Sequence, residues 1–447
     1  MRRTFLGTRV TLLVKTTRFL IAFFLVPLAS AISPALLYGQ TGIASPLQQA
    51  VRWDDSVAIR NAINADRADI NKRNGDGWTP LHSAAFAGKT VAVRVLLEEG
   101  ATVDPRDPDG ERPLSLAAAN GYTDIVQMLL AHGANVNKPN EAGETPLYEA
   151  SEAGRTAVVK LLLAHGANAH TPRKADDRTA LDAACESGYD SVVVLLLEHG
   201  ADVNRPIRVP GDPTDGFTPL HFAAENGDAA VMKTLLAHGA KVNARAKNGN
   251  EPIHLAATWH GNEAVIDLLV RHGASVNSTN NYHQTPLHLA TWENRPHRSE
   301  ILMRLGANPN IADSAGDTPL HLAAHAGRTG LVHDFIMGTQ GPHVIHANPN
   351  LRNDSGQTPL MLAVRGNYDP TVDTLLQDGA NPKIKDKLGR TALYYLQPEN
   401  FQFIASLLMH YGASTATKDD EGMTPIEYYR RIGEPVVVGY LTNPYKP

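Results

Sequence analysis

Nineteen histidines and one cysteine are the residues through which this chain of 447 could do metal or nucleophilic chemistry. His321 and His325 stand four apart, which on a helix places two imidazoles on one face, and His343 and His346 follow in a nearby segment. Such a pair could begin a zinc site, but no carboxylate or cysteine completes the ligand set. Cys185 has no partner for an intramolecular disulfide or a CxxC site, and nothing adjacent to it in sequence would activate a thiolate, so it reads as a small core residue. The chain contains no G-x-S-x-G elbow, HExxH pair, phosphate-binding loop or dinucleotide-binding glycine run. The residues therefore predict no catalytic group, no cofactor and no metal. A net charge of -5 without a basic block also argues against nucleic acid as a partner.

Most of the histidines belong to a recurring pattern. Counted from its threonine, the phrase TPLHFAA at Thr218 returns at 79, 112, 145, 179, 218, 251, 285, 318, 358, 391 and 424, in steps of 33 or 34 residues apart from one of 39 and one of 40. Self-similarity at this period marks a stacked repeat architecture. Within a copy, Thr218 can cap a helix and Pro219 suits its first position, where a missing N–H costs nothing. Leu220, Ala223 and Ala224 then make one apolar helix face, and Gly227 supplies a left-handed stop. Val231, Leu235 and Leu236 give a second helix its apolar face. His132, His165, His199, His238 and His272 fall at the ends of such second helices, where an imidazole complements the helix dipole. At the first-helix stop Asn294, Asn367 and Asn400 replace glycine, and asparagine tolerates the same left-handed conformation.

TPLHLAA at Thr318 to Ala324, with the tags ANVN, ADVN and ANPN after the second helices, resembles the ankyrin repeat, and the resemblance extends over about residues 46–447. It implies an all-α fold: a helix-turn-helix solenoid with β-turn fingers, about 12 stacked repeats including caps. Residues 46–74 look like an N-terminal cap, and the copy from Thr424 looks like a C-terminal one. The resemblance gives His82, His221, His254, His288 and His321 a structural post, hydrogen bonding within the turn. Two insertions, at 204–217 and 337–346, are expected to be surface loops. Arg298 takes the position of Val231 in its copy, so the seam there should be weak.

The same resemblance implies a protein-binding scaffold without catalysis, whose partner contacts lie on finger tips and on the residues just before each first-helix stop. Those positions nominate Trp78, Phe86, Glu152, Glu186, Glu225, Trp259, Tyr282, Trp292 and His325. Glu152, Glu186 and Glu225 recur at one position of successive copies and should form an acidic row that attracts a basic segment of a partner protein. Trp259, Tyr282 and Trp292 would supply large rigid anchors where the row ends.

The first 45 residues differ from the rest. Five basic residues without an acidic one precede the apolar run Phe19 to Ile32, which contains Ala29-Ser30-Ala31 near its end. This is the pattern of a secretory signal peptide, residues 1–31, followed by a linker over 32–45. An uncleaved anchor reaching Tyr38 is the alternative, and it would be the chain's one membrane contact. Either way the repeats are exported, to the periplasm or the medium. Edman sequencing of the mature protein is expected to start near Ile32, and an intact Met1 on membrane-bound material would replace cleavage by anchoring.

Overall fold

The computed structural model describes residues 45–258, 263–338, 345–399 and 401–443. They form 23 α-helices and two short 3-10 helices, and no β-strand occurs among them. Residues 1–44, Trp259 and Asn400 lie outside the described residues. The helices fall into two compact units, one ending at Glu141 and the other beginning at Ala142. No described helix is long and apolar enough to cross a membrane.

In the first unit three helix pairs stack: Pro46–Trp53 with Ser56–Ala65, Pro80–Phe86 with Thr90–Glu98, and Pro113–Asn120 with Thr123–Ala131. The leading pair lacks the threonine phrase, yet Ser45 caps it in the same way, exchanging bonds with Gln48. In the second unit the first helices of successive pairs lie side by side: Pro146–Glu152, Ala180–Ser187, Pro219–Asn226, Pro252–Ala256, Pro286–Trp292, Pro319–His325 and Pro359–Arg365, then the 3-10 helix Ala392–Tyr395 and finally Pro425–Ile432. Each is followed by a second helix that packs on it and on its neighbours, as Thr156–Ala164 does with Val158, Val159, Leu162 and Leu163 buried.

The phrase residues begin and end these helices as their chemistry demands. Thr285 starts a capping box: its hydroxyl accepts the His288 N–H, and His288 Nδ1 accepts the Thr285 N–H at 3.1 Å. At the stops, Gly154 and Gly227 hold φ values of 67° and 77°, and Asn294 and Asn367 take 55° and 56°, the left-handed region that these residues enter at least cost. Gly154 has a second reason to be glycine, because a Cβ there would meet the Tyr189 ring of the next repeat at 2.6 Å. At the second-helix ends the imidazole Nδ1 of His165, His199, His238 and His272 donates to the carbonyl four residues back, at 2.8–2.9 Å.

Two ladders run from repeat to repeat. One is an asparagine ladder: in the second unit Asn204 Nδ2 donates to Gly239 O at 3.0 Å while its Oδ1 accepts the Lys241 N–H at 2.8 Å. Asn277, Asn310 and Asn350 repeat this double bond to the next copy. The other joins finger tips through the backbone: Lys247 N donates to Asp215 O, Asn281 N to Asn248 O, Ser314 N to Tyr282 O and Asp354 N to Ala315 O, at 2.8–3.1 Å.

The insertion at 204–217 is more than a plain surface loop. In 204–217, Ile207 and Phe217 are buried and exchange backbone bonds with each other through Phe217 O and, via Gly216 N, Ile207 O. The Phe217 ring stacks on His221 at 5.1 Å and meets Phe222 at 5.6 Å. This insertion is thus tied to the core at both ends, with its tip outside. Of 337–346 only the flanks are described, and His346 Nδ1 bonds to Ile336 O at 2.9 Å.

Arg298 is only half buried, and Ser299, Ile301, Leu302 and Met303 fill the seam beneath it. Burial and the neighbouring Arg295 still push its guanidinium below its ordinary value, so a cation sits where the copy of Val231 places an aliphatic side chain. In a stack held by nearest-neighbour interfaces, residues 285–306 are therefore expected to be the softest internal segment. Native-state hydrogen exchange is expected to show their amides opening faster than those of 218–239 and 318–337; equal protection would refute it.

Candidate functional site

The five phrase histidines are fully buried and fully occupied. In each, Nδ1 accepts the N–H of the capping residue, which leaves the proton on Nε2 to be donated onward. His221 Nε2 donates to Asn250 O, His254 to Gln284 O, His288 to Asp317 O and His321 to Gln357 O, at 3.1–3.2 Å, and His82 makes the same link to Glu111 O in the first unit. Each imidazole therefore ties a helix cap to the finger of the next copy. His321 has no nitrogen left for an ion, so the His321/His325 pair is not a ligand pair; His325 lies exposed one turn on, and His343 is outside the described residues. Cys185 is buried and its thiol is pushed well above the ordinary range by desolvation, which makes it unreactive.

One copy breaks the pattern with a buried charge, whereas Glu427 at the same position of the last copy is exposed. Asp182 stands at the histidine position, completely buried. Its Oδ2 accepts from the Thr179 N–H and hydroxyl, both at 2.8 Å, while Oδ1 has no hydrogen-bond partner among the described residues. Burial lifts this carboxyl to about 6, against the opposing pull of the two Thr179 bonds.

The residues nominated for binding separate into groups. In the first unit, Trp78 is half buried, packed edge-on to Phe86 at 5.2 Å, with Nε1 donating to Asp107 Oδ2 at 2.9 Å; it braces its finger rather than standing free, and Phe86 is 40% exposed beside it. In the second unit, Glu152 and Glu186 are exposed and Glu225 is half buried, each near the end of adjacent first helices. The row is not purely acidic, because two finger arginines reach into it. Arg173 bonds to Glu144 at 2.9 Å and to Asp176, and lies over the Tyr148 ring; Arg178 pairs with Glu186 and lies 4.7 Å over the Phe222 ring. Glu144, Glu149, Glu152, Asp176, Glu186 and Glu225 still outnumber them. Desolvation raises the Glu152 carboxyl, and Glu144 and Glu186 add to the rise while Arg173 and Arg178 oppose it.

Tyr282 and Trp292 are 61% and 64% exposed, one on a finger tip and the other at a first-helix end of the same copy. Arg328 of the next copy donates to Trp292 O at 2.8 Å, fixing the backbone from which the indole projects. His325 is exposed one copy further on, and Arg365, at the equivalent position of the following copy, is exposed and makes no ion pair among the described residues. Arg365, Arg173 and Arg178 are not among the residues nominated from sequence. The first could have been found by carrying the glutamate position two copies past Trp292.

Comparisons agree with this repeat geometry. A family model described as ankyrin repeats in three copies matches residues 47–140, 133–207, 220–313, 297–386 and 320–420, and one described as ankyrin repeats in many copies matches 181–236. A stretch of 68 residues is 38% identical to "Protein VAPYRIN-LIKE" of Medicago truncatula, covering 15% of this chain and 14% of that protein. Another of 58 residues is 43% identical to "SH3 and multiple ankyrin repeat domains protein 2" of Homo sapiens, covering 13% of this chain and 3% of that one. The similarity thus spans a small part of both relatives.

The buried titratable groups set an acid sensitivity with a definite sign. Burial lowers His221 and His254 to about 4 and lowers His288 and His321 as well. Below about 6.5 the unfolded chain binds protons that the folded one refuses, so this contribution is full above that pH and is lost toward pH 4. Asp182 runs the other way: its folded carboxyl titrates near 6 and its unfolded one near 3.8, so acidification through that window relieves it. Asp182→Asn removes the buried charge and is expected to raise the urea midpoint at pH 7.5 by the equivalent of about 1–2 kcal/mol, less than the whole carboxyl shift implies because the amide leaves its own N–H unpartnered. The gain should be much smaller at pH 4.5 and gone below about 3.8. A gain that is the same at both pH values would show that Asp182 is not buried as a charge.

Proposed function

The chain belongs to the ankyrin repeat family, and on that premise we propose that it is an exported, non-catalytic scaffold. It holds a protein partner against the first-helix face of its second unit, between Glu152 and His325. Ankyrin repeats are protein-interaction modules, and the finer reading rests on one observation: Trp292 presents 64% of its surface at a helix end whose carbonyl is already held by Arg328. A large indole that is exposed and rigidly based loses little freedom when a partner covers it, which is the character of an interface anchor. Tyr282 of the same copy adds a second aromatic surface, and the carboxylates around Glu152, Glu186 and Glu225 favour a basic partner segment. The basic and apolar leader supports export, with periplasm or medium as the place of action; action on a target-cell protein is the further form of that reading.

Affinity capture from the exported fraction supplies the partner for the test. Replacing Glu152, Glu186 and Glu225 by glutamine is expected to slow association several-fold at low salt and to flatten its salt dependence, whereas Trp292→Ala should speed dissociation by the equivalent of about 2 kcal/mol. Unchanged rates in both variants would move the interface to the insertions at 204–217 and 337–346.

A further inference from the structure

The first-helix row of the second unit changes its chemistry along its length, and the change has a direction. At one equivalent position, successive copies carry Glu152, Glu186, Glu225, Thr258, Trp292, His325 and Arg365. These sit on helices that pack side by side in that order. Three residues earlier on the same helices stand Glu149, Ala183, Phe222, Leu255, Leu289, Leu322 and Leu362. Phe222, Leu255 and Leu362 are buried, but Leu289 and Leu322 are half exposed, so the accessible apolar floor lies at and just after Trp292. Negative charge dominates before that floor, and a positive group without an ion-pair partner among the described residues, Arg365, lies beyond it. Glu293, next to Trp292, acts on Arg328, where it opposes the desolvation of that guanidinium.

We infer that this face takes an extended protein segment of opposite charge at its two ends: basic against Glu152 and Glu225, apolar over Trp292, Leu289 and Leu322, and acidic against His325 and Arg365. The inference rests on the binding reading above and adds the partner's charge polarity and spacing. Adjacent packed helices are about 8–10 Å apart. Glu225 to Trp292 and Trp292 to Arg365 are two helices each, so each gap is about 16–20 Å, or about 5–6 residues of extended chain. The segment therefore has a basic cluster, an aromatic or leucine about six residues away, and an acidic residue about six further on. A segment basic at both ends places like charges against Arg365, and one acidic at both ends places them against the glutamates, so the face selects by repulsion as well as attraction.

Three fluorescein-labelled peptides of about 18 residues test this. They share a central Phe-Leu pair in a Gly/Ser chain and carry Lys at one end with Asp at the other, Lys at both ends, or Asp at both ends. Fluorescence anisotropy against the full chain is expected to show the Lys/Asp peptide binding about tenfold or more tighter than either other. Arg365→Glu, a change at an exposed residue, should transfer the preference to the Lys/Lys peptide, and circular dichroism should show the fold unaltered. Equal affinity for the Lys/Asp and Lys/Lys peptides, with binding still weakened by Trp292→Ala, overturns the polarity and leaves the face as a binding surface. Binding indifferent to Trp292→Ala, or no binding of any peptide, overturns the polarity and the face together.

Discussion

The structure depends on a buried imidazole that faces two ways. In His288 one nitrogen completes the cap of its own helix and the other reaches the carbonyl of Asp317 in the next finger, so a single neutral ring settles a local boundary and a seam at once. A stack of short helix pairs has no long-range core, and the helices are too short to stand alone in water. Any residue that couples capping to the neighbour therefore makes the formation of one pair conditional on the next. Where Asp182 takes the post the cap survives, but no outward bond replaces the imidazole's, and a charge is buried instead.

The periodic part of this design is legible in sequence because each phrase residue has one mechanical job at a fixed offset. Thr and Pro mark a helix start, Gly or Asn marks the stop, and alanines mark the close seam, so the pairs and their order follow from spacing alone. What spacing hides is contact between residues at different phases of the repeat. Arg178 lies in a finger and Glu186 near the end of the following helix, and neither position announces that they pair. Ile207 and Phe217 look like parts of one extended loop, and only the folded chain shows both buried, with the phenyl ring stacked on His221. Trp78 looked available by position, whereas its indole N–H bonds to Asp107 one finger away.

The candidate face shows the same division. Row membership of Glu152, Glu225, Trp292 and His325 can be read from the period, and so can that of Arg365. Accessibility cannot, since Leu255 and Leu289 occupy equivalent places yet one is buried and the other half exposed. Selectivity in such a scaffold thus arises from small departures at positions the fold leaves free, while stability is held by positions that hardly vary. The two tasks use different side chains of the same short helix, and they can change independently.

The asparagine ladder extends that independence to length. Asn277, Asn310 and Asn350 each present the same donor and acceptor to the copy that follows, whatever that copy carries on its binding row. Every seam in this stretch is consequently an interchangeable joint. A pair gained or lost between Trp292 and Arg365 meets matching polar groups on both sides and moves the two ends of the first-helix row apart or together by one helix width. On the proposed mode of binding the chain is a ruler graduated in repeats, whose recognition length duplication or deletion would reset with neither end redesigned.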